Sequence, residues 1–131
     1  MKTYSFNKEE KLKSRKMIET LFRDGKAFSI FPYRVIFMPA RLQTDKYPVQ
    51  AGFSVSSRKF PHAVDRNRIK RLGREAYRLQ KQPFYDALRQ NGLQLAVFFV
   101  YTDKKIADFD TLHRKFSVIL EKLTREAGRK D

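Results

Sequence analysis

The sequence predicts an α+β fold, a two-layer α-β sandwich in which a small mixed sheet packs against helices, one of them long and basic. Segments with the apolar spacing of helices are interspersed with short segments rich in aromatic and β-branched residues, which are typical of strands. The 131 residues contain no repeat and no low-complexity tract. We therefore expect a single domain over residues 1–131, with loosely ordered ends at 1–13 and 125–131.

The first half of the chain predicts one helix and two strands. Ser14 can cap a helix that runs to about Asp24. Alternation predicts a strand over Phe28–Met38, with an edge or a bend at Pro32, and a second strand over Val49–Ser56. The apolar positions of the helix share one face and are Met17, Ile18, Leu21 and Phe22.

The second half predicts a long helix, a buried strand and a final helix. The long helix covers roughly Ala63–Lys81 and is stopped by Pro83, because proline disfavours a helical conformation at the preceding residue. A short helix over Phe84–Gln90 follows. Leu93–Tyr101 is apolar nearly throughout, as expected of a central strand. The final helix has Asp108 or Asp110 as its cap and an apolar stripe of Leu112, Phe116, Ile119, Leu120 and Leu123.

The charge balance limits the classes of function that this protein can have. The chain has 29 Lys and Arg against 14 Asp and Glu, a net charge of +15. A surface this positive is best explained by a polyanionic partner, and nucleic acid is the leading candidate. No long apolar stretch or lipidation motif is present, so a membrane partner is not expected. The absence of cysteine excludes disulfides and thiolate metal sites. With no apolar signal region in residues 1–16, the expected location is the cytoplasm.

The long helix concentrates this charge. Residues 58–81 hold nine basic and two acidic side chains, a net charge of +7. At 100° per residue, one face of the helix carries Ile69, Leu72, Ala76 and Leu79. The opposite face carries Asn67, Lys70, Arg71, Arg74, Arg78 and Lys81, with Arg66 and Arg68 towards the edges. One face can dock on the sheet while the other binds phosphate, and Gly73, near the border, suggests a close approach of a neighbour.

The stretch from residue 51 to residue 77 reads AGFSVSSRKFPHAVDRNRIKRLGREAY. It resembles the signature of the bacterial ribonuclease P protein family: a strand ending Gly-hydrophobic-Ser-Val-Ser, a basic turn, Ala-Val, Arg-Asn-Arg-hydrophobic-Lys-Arg, and Arg-Glu/Gln-Ala-aromatic. The turn is one residue longer than usual and has Pro61 in place of the usual glycine region. The resemblance also implies a left-handed βαβ crossover.

The resemblance implies two RNA-binding surfaces. Arg66, Asn67 and Arg68 match the box that contacts the catalytic RNA. The full predicted RNA-binding set is Arg58, Lys59, Arg66, Asn67, Arg68, Lys70, Arg71, Arg74, Arg78 and Lys81. The second surface is a cleft for the single-stranded 5′ leader of precursor tRNA, with Phe22, Ile18, Arg34 and Ile36 as its predicted residues. A register slip of one residue would substitute Tyr33 and Val35 for the last two.

The resemblance implies a protein subunit of a ribonucleoprotein endonuclease. It implies that the RNA partner and its Mg²⁺ perform the chemistry, with no catalytic or metal-binding residue in this chain. Three alternatives are weighed against it. A protein nuclease would need clustered carboxylates or histidines, and the acids here are scattered. A ribosomal protein or RNA chaperone would share the charge and size but not the Arg-Asn-Arg box. A DNA-binding protein lacks support from any helix-turn-helix or zinc pattern.

Overall fold

The computed structural model describes residues 6–129. It contains three α-helices and four strands, preceded by a 3₁₀ turn at Lys8–Glu10. The helices are α1 (Arg15–Asp24), α2 (Ala63–Gln90) and α3 (Phe109–Ala127). The strands are β1 (Lys26–Ile30), β2 (Tyr33–Pro39), β3 (Val49–Val55) and β4 (Leu95–Tyr101). The predicted α+β class with a mixed sheet is confirmed.

The four strands form one sheet in the order β1-β2-β4-β3. β2 pairs antiparallel with both β1 and β4, whereas β3 pairs parallel with β4. Since β3 and β4 are parallel neighbours joined through α2, this helix is the crossover of a βαβ unit. The left-handed sense of that crossover stays a prediction. The apolar segment at 95–101 is a central strand, as the sequence indicates.

The strand predicted over Phe28–Met38 is in fact a hairpin. Its two arms are β1 and β2, and the chain reverses at Phe31 and Pro32. The carbonyl oxygen of Pro32 accepts hydrogen bonds from the backbone N and the hydroxyl of Thr102, at 2.7 and 3.0 Å. The bend expected at Pro32 is therefore confirmed, and it lies beside the end of β4.

The predicted break at Pro83 is wrong, because α2 continues through this residue to Gln90. Proline inside a helix costs about 3 kcal/mol, since it removes a hydrogen bond and crowds the preceding turn. The turns after Pro83 bury Phe84, Tyr85 and Leu88 in the core. At roughly 1.5–3 kcal/mol for each large apolar side chain, this burial outweighs the cost of the proline.

The sheet has a hydrophobic cluster on each face. The larger cluster lies between the sheet and helices α2 and α3, and Tyr33, Val35 and Phe37 point into it from β2. The smaller cluster lies under α1 and includes Leu21 and Ile36. Because neighbouring residues of a strand point to opposite faces, this arrangement fixes which side chains of β2 lie on the α1 side.

Residues 6–12, which we call the N-terminal strap, are fixed to the fold, in contrast to the expectation for residues 1–13. The Glu10 carboxylate is fully buried. The Leu12 backbone N donates to the Ala51 carbonyl at 3.0 Å, and the Leu12 side chain is buried on the α1 side. At the other end, α3 continues to Ala127, beyond the predicted start of fraying at Arg125. Residues 1–5, 130 and 131 lie outside the described residues.

Candidate nucleic-acid interface

Four cations on α2 form a row that faces solvent. Arg68 and Arg71 are exposed and Lys70 and Arg74 are half-buried. No acidic side chain within residues 6–129 forms a salt bridge with any of the four. We call them the cation row. Exposed guanidinium groups can hold phosphate oxygens through two parallel hydrogen bonds, so this row is suited to a nucleic-acid backbone. Asn67, also exposed, lies beside it.

Other predicted cations hold the protein together. Arg66 donates from Nη1 to the carbonyl oxygens of Phe60 and Pro61, at 2.8 and 2.9 Å. Lys59 donates from Nζ to the carbonyl oxygen of Thr102 at 2.6 Å. Both side chains therefore fix the turn that precedes α2, and Arg66 is half-buried in doing so.

Arg78 is paired within its own helix. Its guanidinium forms a salt bridge with Glu75, and a hydrogen bond to that carboxylate raises the pKa of Arg78. The pair reduces the net positive charge of α2 beyond the cation row. Arg58 is exposed in the turn before α2, where it can extend the basic surface.

Lys81 does not lie on the solvent-facing basic side of α2, contrary to the prediction. Its side chain is only 3% exposed, and its ammonium group forms a salt bridge with Glu10 of the strap. Burial lowers the pKa of Lys81, and the hydrogen bond to Glu10 opposes this effect. The Tyr85 hydroxyl donates to the same carboxylate at 2.7 Å. Lys81 is thus a core residue that anchors the strap to α2.

The buried face of α2 agrees with the predicted one at Ile69 and Ala76, which are buried, and departs from it elsewhere. Leu79, expected to pack inwards, is 38% exposed. The buried row instead follows a four-residue spacing through Ile69, Gly73, Tyr77, Lys81 and Tyr85. This spacing was visible in the sequence, and large Tyr side chains bury more area than Leu79. The expected close approach at Gly73 is confirmed, because a Cβ atom there would lie 2.7 Å from the Tyr33 hydroxyl.

The predicted leader cleft corresponds to the α1-side face of the sheet. Arg34 is exposed there. Ile36 is only 6% exposed and packs under α1 with the half-buried Ile18. Tyr33 and Val35 belong to the opposite cluster. The register with Arg34 and Ile36 on the α1 side is therefore correct, but Ile36 offers little surface to a ligand.

Phe22 supplies the exposed aromatic surface of this face. Its side chain is 50% exposed. Its ring meets that of Phe98 edge to face, with 5.2 Å between ring centroids. Phe98 is not among the residues predicted from the sequence. The strand alternation of Val97, Phe98 and Phe99 could have found it, because it places Phe98 on the face opposite its two neighbours.

Gly52 of β3 makes room for the Phe98 ring. A Cβ atom at this position would lie 2.3 Å from the nearest ring carbon. Any larger residue would displace the ring from the α1-side face. Gly52 therefore helps to set the shape of the surface that Phe22 and Phe98 form.

The described part of the chain has neither a group of metal-binding side chains nor a membrane-spanning helix. Between residues 6 and 129, no three His, Cys, Asp or Glu side chains are grouped so that they could hold a metal ion. None of the helices in this range combines the length and apolar character that crossing a membrane requires.

The fold and this surface define a class: a small α+β protein that presents a row of cations for nucleic acid. The family model described as Ribonuclease P matches residues 6–124. The chain therefore belongs to the ribonuclease P protein family, as its resemblance to the family signature indicates, and RNA binding and tRNA processing follow from that membership.

Relatives in other bacteria agree with this assignment. The ribonuclease P protein component of Porphyromonas gingivalis is 36% identical over 128 residues, covering 96% of this chain and 89% of the relative. That of Dictyoglomus thermophilum is 35% identical over 128 residues, covering 98% and 96%.

Two solved structures share the fold. The ribonuclease P protein of Staphylococcus aureus superposes with a TM-score of 0.68 at 18% identity, covering 87% of this chain and 94% of that one. That of Thermotoga maritima gives a TM-score of 0.62 at 24% identity, with coverage of 86% and 96%.

Proposed function

We propose that this chain is the protein subunit of ribonuclease P that binds both the catalytic RNA and the 5′ leader of precursor tRNA. In this role it assists endonucleolytic removal of the leader, which generates the mature 5′ end of tRNA. Its place of action in this proposal is the cytoplasm. The observation that carries the proposal is the cation row on α2, since none of its four cations forms a salt bridge within the described chain.

The cation row is suited to the phosphates of the catalytic RNA. Arg68, Lys70, Arg71 and Arg74 lie within two turns of one rigid helix, so their spacing is set before RNA arrives. Binding of each phosphate releases counterions, which makes the affinity steeply dependent on salt. The family box at Arg66, Asn67 and Arg68 lies at the start of the same surface. Because Arg66 already donates to two carbonyl groups, we assign it mainly to shaping the turn.

The α1-side face is suited to a single strand. Phe22 offers a half-exposed ring beside Phe98, and Arg34 adds a positive charge on the same face. Unpaired bases stack on such rings without strong sequence preference, while a nearby cation attracts the backbone. An extended leader that crosses this face would therefore add affinity for precursor over mature tRNA.

In the proposed division of labour, the RNA partner with its bound Mg²⁺ hydrolyses the phosphodiester bond and leaves a 5′-phosphate and a 3′-hydroxyl. The protein supplies affinity, orientation of the leader, and positive charge that reduces phosphate repulsion at low Mg²⁺. The described side chains suit this role, because they offer many exposed cations.

Reconstitution tests the proposal. Precursor tRNA would be incubated at low Mg²⁺ with the catalytic RNA alone, with this protein alone, and with both. We expect cleavage at the mature 5′ end only when both components are present. Cleavage by the protein alone would contradict the proposed division of labour. No stimulation in the mixture would contradict the subunit assignment.

A further inference from the structure

A small pocket lies between the N-terminal strap and α2. The residues that line it from the strap are not in the predicted RNA-binding set. Its volume is about 210 Å³. Its lining residues are Phe6, Lys11, Arg71, Arg74, Glu75 and Arg78. Two cations of the cation row thus share a concave surface with a lysine that is sixty residues earlier in the chain. The family signature gives no indication of Phe6 or Lys11, because it begins at Ala51.

The charge of the pocket favours an anion. Four of its six lining side chains are cationic and one is acidic. That acid, Glu75, is engaged in the salt bridge with Arg78. The Lys11 ammonium group lies 5.9 Å from the centre of the Phe6 ring, a contact that leaves its charge uncompensated. Lys11, Arg71 and Arg74 therefore repel one another, and a bound anion would relieve this repulsion.

The strap holds Lys11 in place beside α2. Lys11 follows Glu10, whose carboxylate is bound by Lys81 and Tyr85 in the core. Lys11 is also bridged to Ala51 of β3, and the next residue donates its backbone N–H to the Ala51 carbonyl. The backbone on both sides of Lys11 is thus anchored, so binding of a ligand by the ammonium group requires ordering of the side chain but not of the strap.

The Phe6 ring forms an apolar part of the wall. It packs edge to face on Tyr77 and Phe53, with ring centroids 5.8 and 6.2 Å apart. These contacts fix its orientation. A site that combines several cations with one ordered aromatic ring suits a nucleotide, whose phosphate is anionic and whose sugar and base are partly apolar.

We propose that this pocket binds an RNA phosphodiester group, with Lys11 contributing from the strap and Arg71 and Arg74 from α2. The inference rests on the proposed function, since it extends the RNA-binding surface of α2 onto the N-terminal strap. The phosphodiester belongs either to the catalytic RNA or to precursor tRNA, and binding measurements separate these two sources.

The test compares Lys11→Ala with Lys13→Ala and Arg74→Ala. Lys13 is an exposed lysine just beyond the strap and outside the pocket, so its replacement removes the same charge elsewhere. Affinity for the catalytic RNA is measured over a series of salt concentrations, and affinity of the assembled complex for precursor tRNA is measured likewise. Thermal unfolding of each variant verifies that the fold is retained.

We expect Lys11→Ala to reduce the slope of log K against log salt by roughly 1 in one of the two assays, as does Arg74→Ala, while Lys13→Ala leaves it unchanged. The assay that responds identifies the RNA. If Lys11 and Arg74 share a phosphate, the double variant loses less affinity than the two single losses combined. Equal effects of Lys11→Ala and Lys13→Ala would overturn the proposal that this pocket binds a phosphodiester group. If Arg74→Ala also has no effect, the proposed RNA-binding surface fails as well.

Discussion

Phe22 and Phe98 form an aromatic pair on the α1-side face, and Phe22 is the more accessible to a ligand. Replacing Phe22 with Ala should weaken binding of long-leader precursor tRNA by about 1–3 kcal/mol, because a stacked base would lose its platform. Binding of a substrate without a leader should change little. The measurement is the affinity of the assembled complex for both substrates.

A second exposed aromatic gives the control for Phe22. Phe31 is 62% exposed at the tip of the hairpin between β1 and β2. Its replacement with Ala removes the same kind of exposed ring without touching the Phe22–Phe98 pair. If Phe22→Ala weakened binding equally with and without a leader, Phe22 would have a structural role instead of a stacking one.

The close approach of Gly73 to the Tyr33 hydroxyl predicts that the effect of Gly73→Ala on stability depends on that hydroxyl. Alanine is the better helix former by about 1 kcal/mol. However, its Cβ atom would lie 2.7 Å from the Tyr33 hydroxyl, and overpacking typically costs about 1–3 kcal/mol. Gly73→Ala should therefore lower the free energy of unfolding by up to about 2 kcal/mol.

Removal of the Tyr33 hydroxyl should reverse the effect of that substitution. The hydroxyl is buried and has no hydrogen-bond partner within residues 6–129, so Tyr33→Phe should leave stability unchanged or raise it. In this background, Gly73→Ala should become neutral or stabilising by up to about 1 kcal/mol. Urea unfolding of all four proteins measures the coupling. Equal effects of Gly73→Ala in both backgrounds would show that the hydroxyl is not the obstacle.

At the scale of elements, the sequence predicts the helices and strands well where one local pattern decides them. The Ser14 and Asp108 caps are present, each accepting a hydrogen bond from a backbone N–H in the first turn of its helix. The continuation of α2 past Pro83 was missed because it depends on burial of Phe84, Tyr85 and Leu88 by distant parts of the chain. The expectation that proline ends a helix considers only neighbouring residues and does not include the stabilisation from this burial.

The candidate site also depends on contacts between distant parts of the chain, which local sequence patterns do not reveal. A helical wheel distinguishes the cation row from the core, since it needs only local spacing. It does not reveal that Lys81 meets Glu10, because 71 residues separate them. Nor does it identify Lys11 as a neighbour of Arg71 and Arg74, which requires the position of the strap. The solvent-facing positions of the cation row were thus predictable from one element, whereas the contacts between elements, including the one that buries Lys81, were not.

The Glu10–Lys81 pair predicts how firmly the strap and α2 are joined. Lys81→Met would leave the buried Glu10 carboxylate without its cation, and removal of one partner of a buried pair costs about 3–5 kcal/mol. The double variant Glu10→Gln, Lys81→Met should recover much of that loss, since the uncompensated charge is removed too. Lys70→Met, at a solvent-facing position, is the control. Chemical denaturation that shows similar stability for Lys81→Met and Lys70→Met would contradict this account.

For the whole molecule, buried tyrosines predict sensitivity to alkali. Desolvation by burial raises the pKa of Tyr33, Tyr77 and Tyr85 well above the ordinary value. Because the folded pKa exceeds the unfolded one, their stabilising contribution is complete below about pH 10 and is lost as the pH rises further. Lys81 acts in the opposite direction, since burial lowers its pKa, but it is one group against three.

We therefore expect a cooperative loss of structure above about pH 10, in which these phenols ionise together with unfolding. Phenolate absorbance and circular dichroism, followed over the same alkaline titration, measure the two events. Ionisation of all tyrosines before any loss of helical signal would contradict the burial described for them.

The bridge between Lys11 and Ala51 also has a consequence for solubility. β3 is an outermost strand, and an unpaired strand at a sheet margin invites pairing with another molecule. The strap occupies part of this margin through the Leu12–Ala51 hydrogen bond. Lys81→Met, which loosens the strap, should thus promote self-association that grows with protein concentration. Gly73→Ala, destabilised elsewhere, should remain monodisperse in light scattering at the same temperature.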